Sequence, residues 1–276
     1  MAAASASSAP PLRTLFALDF DGVVCNSVGE SAETGVRAAA RLWPEAFANL
    51  TQDRRAAVLE DMHKVRPVVE TGYENLVQAR LLAEGTATAD DILDNWHTLL
   101  PAYMNEWHAE RSVLVKAFGD ERDAWMKADL QGWLAPNTLY DGVADVLRGL
   151  EADASVELRV VTTKDARFTA ALLHNLAGVS LPMERIHSQT ASGRPKTEVL
   201  RVLQGLHPGV GRKVFVEDKL SALRQAEADA ELDGWELWFA SWGFCTQTDV
   251  DAVARAEQNG ARVRVLRLEQ VATVLR

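Results

Sequence analysis

Cysteine is scarce: the 276-residue chain has two, Cys25 and Cys245, far apart and without metal-type spacing. That excludes a disulfide framework and a cysteine-built metal site, and it fits a reducing compartment. Also missing is any apolar run of membrane-spanning length, which excludes a helical integral membrane protein. Positive charge is in deficit, with 29 Lys and Arg against 39 Asp and Glu and a net charge of −10. Nucleic acid and anionic membrane are therefore not expected as main partners, although a local pocket can still bind phosphate. The six histidines show no metal-ligand spacing. Repeats are absent, and low complexity is confined to the opening MAAASASSAPP, which reads as a disordered tail. It has neither the apolar core of a secretory signal nor an arginine before Arg13. A cytoplasmic location is expected, the alternative being a plastid if this stretch is the remnant of a transit peptide.

What is present is the composition of an ordinary globular protein, 47% hydrophobic and 25% charged, in a chain long enough for a large core. Residues 28–135 read as helical: apolar residues recur at helical spacing over Glu33–Leu42, Asp53–Lys64, Glu74–Glu84, Ala89–Glu110 and Ser112–Asp129. Pro44, Pro67, Gly72, Gly85 and Gly119 supply the breaks. Past Pro136 the texture changes to strands at Val156–Thr163, 185–190, Lys213–Val216, Trp235–Ala240 and Arg262–Leu266. Helices are expected between and after them at Lys164–Ala177, Thr197–Leu206, Leu220–Ala230, Asp249–Asn259 and Glu269–Leu275. Strands alternating with helices predict an α/β fold, a Rossmann-like doubly wound parallel sheet. The helical block interrupts it after the first strand. The expected organisation is a tail and first core strand over 1–27, an inserted all-helical cap over 28–135, and the rest of the core over 136–276.

The strongest local signal is Leu15–Asp21, LFALDFD, an apolar strand ending in two carboxylates at i and i+2 and followed by Gly22. On a strand those positions share one side. Two acids there are costly unless something cationic lies between them. Three later segments end in matching chemistry: RVVTT gives Thr162 and Thr163, SGRPK gives Lys196, and VFVED gives Glu217 and Asp218. In an open parallel sheet such strand ends gather at one crevice. Two acid clusters with oxygen ligands only, beside a hydroxyl and an ammonium, suit Mg2+ next to a phosphate.

DFDGVV, VVTTK, Lys196 in GRPK and VFVED, in that order, resemble the four motifs of the haloacid dehalogenase (HAD) superfamily. The resemblance covers the core, residues 14–27 and 137–270. Leu139–Val143 (LYDGV) and Ser241-Trp242-Gly243 are similar to phosphoglycolate-phosphatase-type members, and the insertion stands at the C1 cap position. The cap, with VRPVVETGYEN at 65–75, is similar to uncharacterised HAD-like proteins of plants, algae and cyanobacteria. The resemblance implies a Mg2+-dependent phosphatase acting on a small phosphorylated metabolite. Asp19 would be the nucleophile, Asp21 the general acid and base, Thr162 a phosphoryl hydrogen-bond donor and Lys196 the charge-offsetting cation. Mg2+ would be held by Asp19, the Asp21 carbonyl, Asp218 and Glu217. Gly22 would let backbone N–H groups approach the phosphate.

Two departures stand out. Relatives commonly carry a further acid four or five residues into the fourth motif, where this chain has Ala222 and Leu223, so Glu217 must be the second acid. Cys25-Asn26 replaces an apolar residue and Asp. Dehalogenation is not expected, because Asp21 serves an oxygen leaving group. Thr163, Lys164 and Arg66 are further substrate-binding candidates, Arg66 through its planar fork. Arg167, Glu70, Tyr73 and Asn75 are weaker ones, and Trp96, Trp107, Trp125 and Trp133 read as packing. The alternatives are a phosphomutase of the same superfamily, or a phosphate-binding regulatory protein with little turnover.

Overall fold

The computed structural model describes residues 12–275, so the opening segment read as a tail lies outside the described residues. The chain packs as two units. One runs to Val24 and resumes over Leu139–Gly243 and from Gln247 onward; the other comprises Cys25–Thr138 with Phe244–Thr246.

The first unit holds a six-stranded sheet: β1 Thr14–Leu18, β2 Val156–Thr162, β3 Ile186–Ser188, β4 Arg212–Glu217, β5 Trp235–Ala240 and β6 Val263–Leu266. All neighbours are parallel, in the order β3-β2-β1-β4-β5-β6. Leu15–Leu18 and Val214–Val216 are buried throughout, which is why these strands read as continuous apolar runs rather than alternations. Parallel strands need crossovers, supplied by helices Ala166–Leu172, Lys196–Leu206, Leu220–Glu227 and Gln247–Gln258. From β1 the chain winds out to β3, then returns to the other side of β1 with β4. The strand order therefore reverses between β1 and β4, where the crevice of a doubly wound sheet lies. The fold class expected from the sequence is the one observed.

Local differences have local causes. The strand expected over 185–190 is three residues long, because Gln189–Ser192 turns helical. Thr163 lies one residue beyond β2. The helix expected from Lys164 starts at Ala166, where the Asp165 carboxylate accepts the Arg167 N–H at 3.1 Å, and it widens into a π turn at Leu173–Ala177. A longer helix was also not anticipated: Val143–Ala152 buries Val143, Leu147 and Leu150, an i, i+4, i+7 face that was legible. It follows Gly142, whose φ of 76° favours glycine.

The second unit is helical apart from the two-residue strand Cys25–Asn26, with helices Val28–Leu42, Gln52–Val65, Glu74–Glu84, Ala89–Glu106 and Arg111–Ala128 as its main elements. Its core collects Val36, Val58, Met62, Leu76, Leu81 and Phe118. The first helix begins five residues before the expected Glu33, where the Asn26 carboxamide accepts the Val28 N–H at 3.3 Å. The helix expected to reach Glu110 stops at Glu106, and His108 nearby has a φ of 49°. Charge is buried here in closed form. The Glu30 carboxylate takes two 2.7 Å bonds from the Arg122 guanidinium, one from the Thr34 hydroxyl at 2.8 Å and one from the Trp133 indole at 3.2 Å. No helix among the described residues is long and apolar enough to cross a membrane.

Candidate active site

Register assembles the site. Leu18 is level with Val160 of β2 and Val216 of β4, and the Asp19 N–H bonds the Val216 carbonyl at 2.9 Å. Asp19 and Glu217 thus leave neighbouring strands at one height, with Asp218 one residue further and Thr162 on the other flank. Gly22 follows with a φ of 91°, a conformation that a side chain would strain.

Asp19, Glu217 and Asp218 are all buried, and their oxygens lie within 4.8 Å of one another. Lys196 Nζ, from the start of its helix, is 2.9 Å from Asp19 Oδ1 and 2.6 Å from Glu217 Oε2. Burial raises the Asp19 carboxyl above its ordinary value, Lys196 opposes that, and Asp218 adds to it. Glu217 is pushed well above the ordinary carboxylate range by burial and then by Asp19. Burial alone would lower Lys196, but Asp19 and Glu217 outweigh it and hold the ammonium above its usual range. Among these four groups three carboxyls face one ammonium, an excess of negative charge whenever all three acids are ionised.

The bonds of Glu217 are specific. Glu217 Oε1 accepts the N–H groups of Asp218 at 3.1 Å and Lys219 at 3.0 Å, while Oε2 takes Lys196. Both its oxygens are engaged in shaping the turn and fixing the lysine. Donors of this kind, buried carboxylate oxygens in charge excess, fit a hard divalent cation. Asp19 and Asp218 are the residues that would hold it most directly, with Glu217 behind them.

Thr162 is buried, and its hydroxyl oxygen accepts the Lys164 N–H at 3.1 Å, which leaves its own proton to donate. Thr163 is partly buried and its carbonyl accepts the Thr190 hydroxyl. The structure places the fully buried Lys164 ammonium 3.3 Å from Asp21 Oδ1. Arg66 belongs to the helical unit. Gly243 was singled out only by resemblance, yet a Cβ there would come within 2.4 Å of the Asp218 Cβ and 2.6 Å of the Gly22 carbonyl oxygen. Its neighbour Trp242 donates its indole N–H to the Val23 carbonyl at 3.2 Å. The turn after β5 thus packs directly on the two loops that carry the acids.

No protein-family model matches the chain, and no curated protein matches it. Solved structures do. A predicted phosphatase from Clostridium acetobutylicum superposes with a TM-score of 0.56 at 16% identity, covering 96% of this chain and 98% of its own. A predicted phosphoglycolate phosphatase from Haemophilus somnus gives 0.56 at 14% identity, with 96% and 98% covered. A haloacid dehalogenase-like hydrolase from Streptococcus pneumoniae gives 0.50 at 14% identity, with 96% and 99% covered. At these identities the likeness is one of fold, and it extends over nearly the whole of each chain.

Proposed function

We propose that the chain is a phosphatase that hydrolyses a small phosphomonoester through an aspartyl-phosphate on Asp19. The observation that carries this is the Asp19–Lys196–Glu217 cluster at the switch point, with Asp21 two residues on and tied to Lys164. The shared fold of the phosphatases described above supports it.

In the first step an Asp19 oxygen attacks phosphorus and the ester P–O bond breaks. The departing oxygen takes a proton from Asp21. In the second, the Asp21 carboxylate removes a proton from water, which attacks the same phosphorus and releases Asp19. Lys196, fixed by Glu217, offsets the charge brought together by nucleophile and phosphate. The Thr162 hydroxyl and the backbone N–H groups around Gly22 bind phosphoryl oxygens, and Thr163 borders them. Mg2+, held by Asp19, the Asp21 carbonyl and Asp218 with Glu217 beside them, would stabilise charge developing on the transferred group.

The test is phosphate release from a panel of small phosphomonoesters and a generic aryl phosphate. Release should need magnesium, stop with EDTA and fall about a thousandfold or more in Asp19→Asn. Retained turnover in that variant removes the nucleophile assignment. Dependence on an added bisphosphate primer would identify a phosphomutase instead.

A further inference from the structure

The Lys164 side chain is fully buried in the sheet unit, with its ammonium 3.3 Å from Asp21 Oδ1. A buried ammonium is costly unless an acid meets it at close range. The steps proposed above give this lysine no task, although it touches the residue that must move protons in both of them.

The pair joins two loops whose backbones are each fixed. After β1, the Val24 N–H bonds the Phe20 carbonyl at 2.9 Å, and Phe20, Val23 and Val24 are buried around the turn at Gly22. That turn sets the Asp21 backbone, while its side-chain torsions remain to be set. After β2, the Lys164 N–H bonds the Thr162 hydroxyl at 3.1 Å, and the Thr163 carbonyl accepts the Thr190 hydroxyl. Asp165 then caps the next helix through the Arg167 N–H at 3.1 Å. Lys164 therefore reaches Asp21 from a braced base. Its contact is to Oδ1. A carboxylic acid carries its hydrogen on one oxygen, so an ammonium donating to Oδ1 assigns that hydrogen to Oδ2.

We infer that Lys164 is a positioning residue for Asp21. It holds Oδ1, so that Oδ2 gives its proton to the departing ester oxygen and later takes one from the attacking water. The lysine itself neither gains nor loses a proton. This rests on the phosphatase reading and adds the residue that aims its acid. A lysine that instead bound the substrate anion would act without Asp21, and the two roles are separable.

The experiment compares kcat/KM on nitrophenyl phosphate, whose phenolate leaves without a proton, and on the best alkyl phosphate of the panel, whose alkoxide needs one. This parameter covers the first transfer, in which the leaving group departs. Lys164→Met should lower it about a hundredfold on the alkyl ester, as a misplaced acid does, and about tenfold less on the aryl ester. Added to Asp21→Asn, the same substitution should cost at most about threefold more, because groups that act as a unit are not additive. Lys164→Gln, which keeps an N–H donor, should recover part of the alkyl-ester rate; it replaces Lys164→Met in the comparison if that variant does not fold. Equal losses on the two esters, or losses that multiply in the double variant, overturn the inference. If the wild type hydrolyses neither ester, the phosphatase reading fails separately. The positioning is then judged from crystal structures of the wild type and Lys164→Met. An Asp21 side chain turned to another rotamer supports it, and an unmoved one overturns it.

Discussion

Glu30 in the helical unit and Glu217 in the sheet unit are both completely buried, and they solve that problem in opposite ways. Glu30 is closed: one guanidinium faces one carboxylate in two bonds, and a hydroxyl and an indole take up further acceptor capacity. The oxygens of Glu217 are also bonded, to two backbone N–H groups and Lys196, but it shares that one ammonium with Asp19, and Asp218 adds a third acid to the same few ångströms. A closed network of this sort specifies packing. A cluster with surplus charge is unstable by itself and is suited to bind what neutralises it.

The largest expected effect tests that distinction directly. Arg122→Met leaves the Glu30 carboxylate buried without its cation and should cost about 3–5 kcal/mol in denaturant unfolding of the full chain. Asp19→Asn removes a charge from the surplus side, and in EDTA it should leave stability unchanged or raise it. If both substitutions destabilise alike, the contrast between closed and open burial is wrong.

Divalent cation should act on one region only. At a hundred times its dissociation constant, a ligand bound only by the folded state adds about 2.7 kcal/mol. Magnesium should therefore raise the melting temperature of the wild type and of Glu33→Gln, and leave that of Asp218→Asn almost unmoved. A shift of equal size in Asp218→Asn would place the bound ion elsewhere.

A smaller effect is expected at Gly243. Alanine there drives a methyl group against the Asp218 Cβ and the Gly22 carbonyl, both attached to backbone that has little room to move. The strain should be about 1–3 kcal/mol, with turnover falling further than stability suggests because the two acid-bearing loops separate. Gly149→Ala, in a helix with open space around the glycine, is the control and should be neutral or slightly stabilising.

Gly243 also marks where the sequence stops speaking. The acids at the ends of β1 and β4 are legible because carboxylates that close an apolar run are costly to bury unless a cation or a reaction uses them. The sheet is legible because parallel strands buried on both faces cannot hide their hydrophobicity. That Glu217 clamps the lysine follows from which groups its oxygens reach, two backbone N–H groups on one and the Lys196 ammonium on the other. Adjacent residues of one type carry no such label. Lys164 stands out in the sequence because it follows the second motif, but its 3.3 Å pairing with Asp21 is made only by tertiary placement. The helix Val143–Ala152 was legible by its apolar period and was overlooked beside the motif that introduces it.

The smallest effect is a difference in the sign of the pH response. Glu33 in the helical unit is half-buried, which by itself would raise its carboxyl. Hydrogen bonds from Arg55 and Arg37 outweigh that and hold it below the ordinary carboxylate value. A depressed acid contributes stability above its unfolded value and loses it as pH falls through the folded one. Asp19 and Glu217 are raised, chiefly by burial, so their contribution is present in acid and is lost as pH rises through their folded values. In EDTA, denaturation midpoints measured from pH 3 to pH 8 should therefore combine an acid limb from the helical unit with a loss from the sheet unit as pH rises above the ordinary carboxylate range. Glu33→Gln should flatten the first by no more than about 1 kcal/mol, as for a partly exposed pair. Asp19→Asn should flatten the second, and saturating magnesium should do the same in the wild type, because a bound cation favours the ionised acids. If Asp19→Asn instead steepens the loss toward neutrality, the cluster is not in charge excess, and the sheet unit would be closed in the same sense as the helical one.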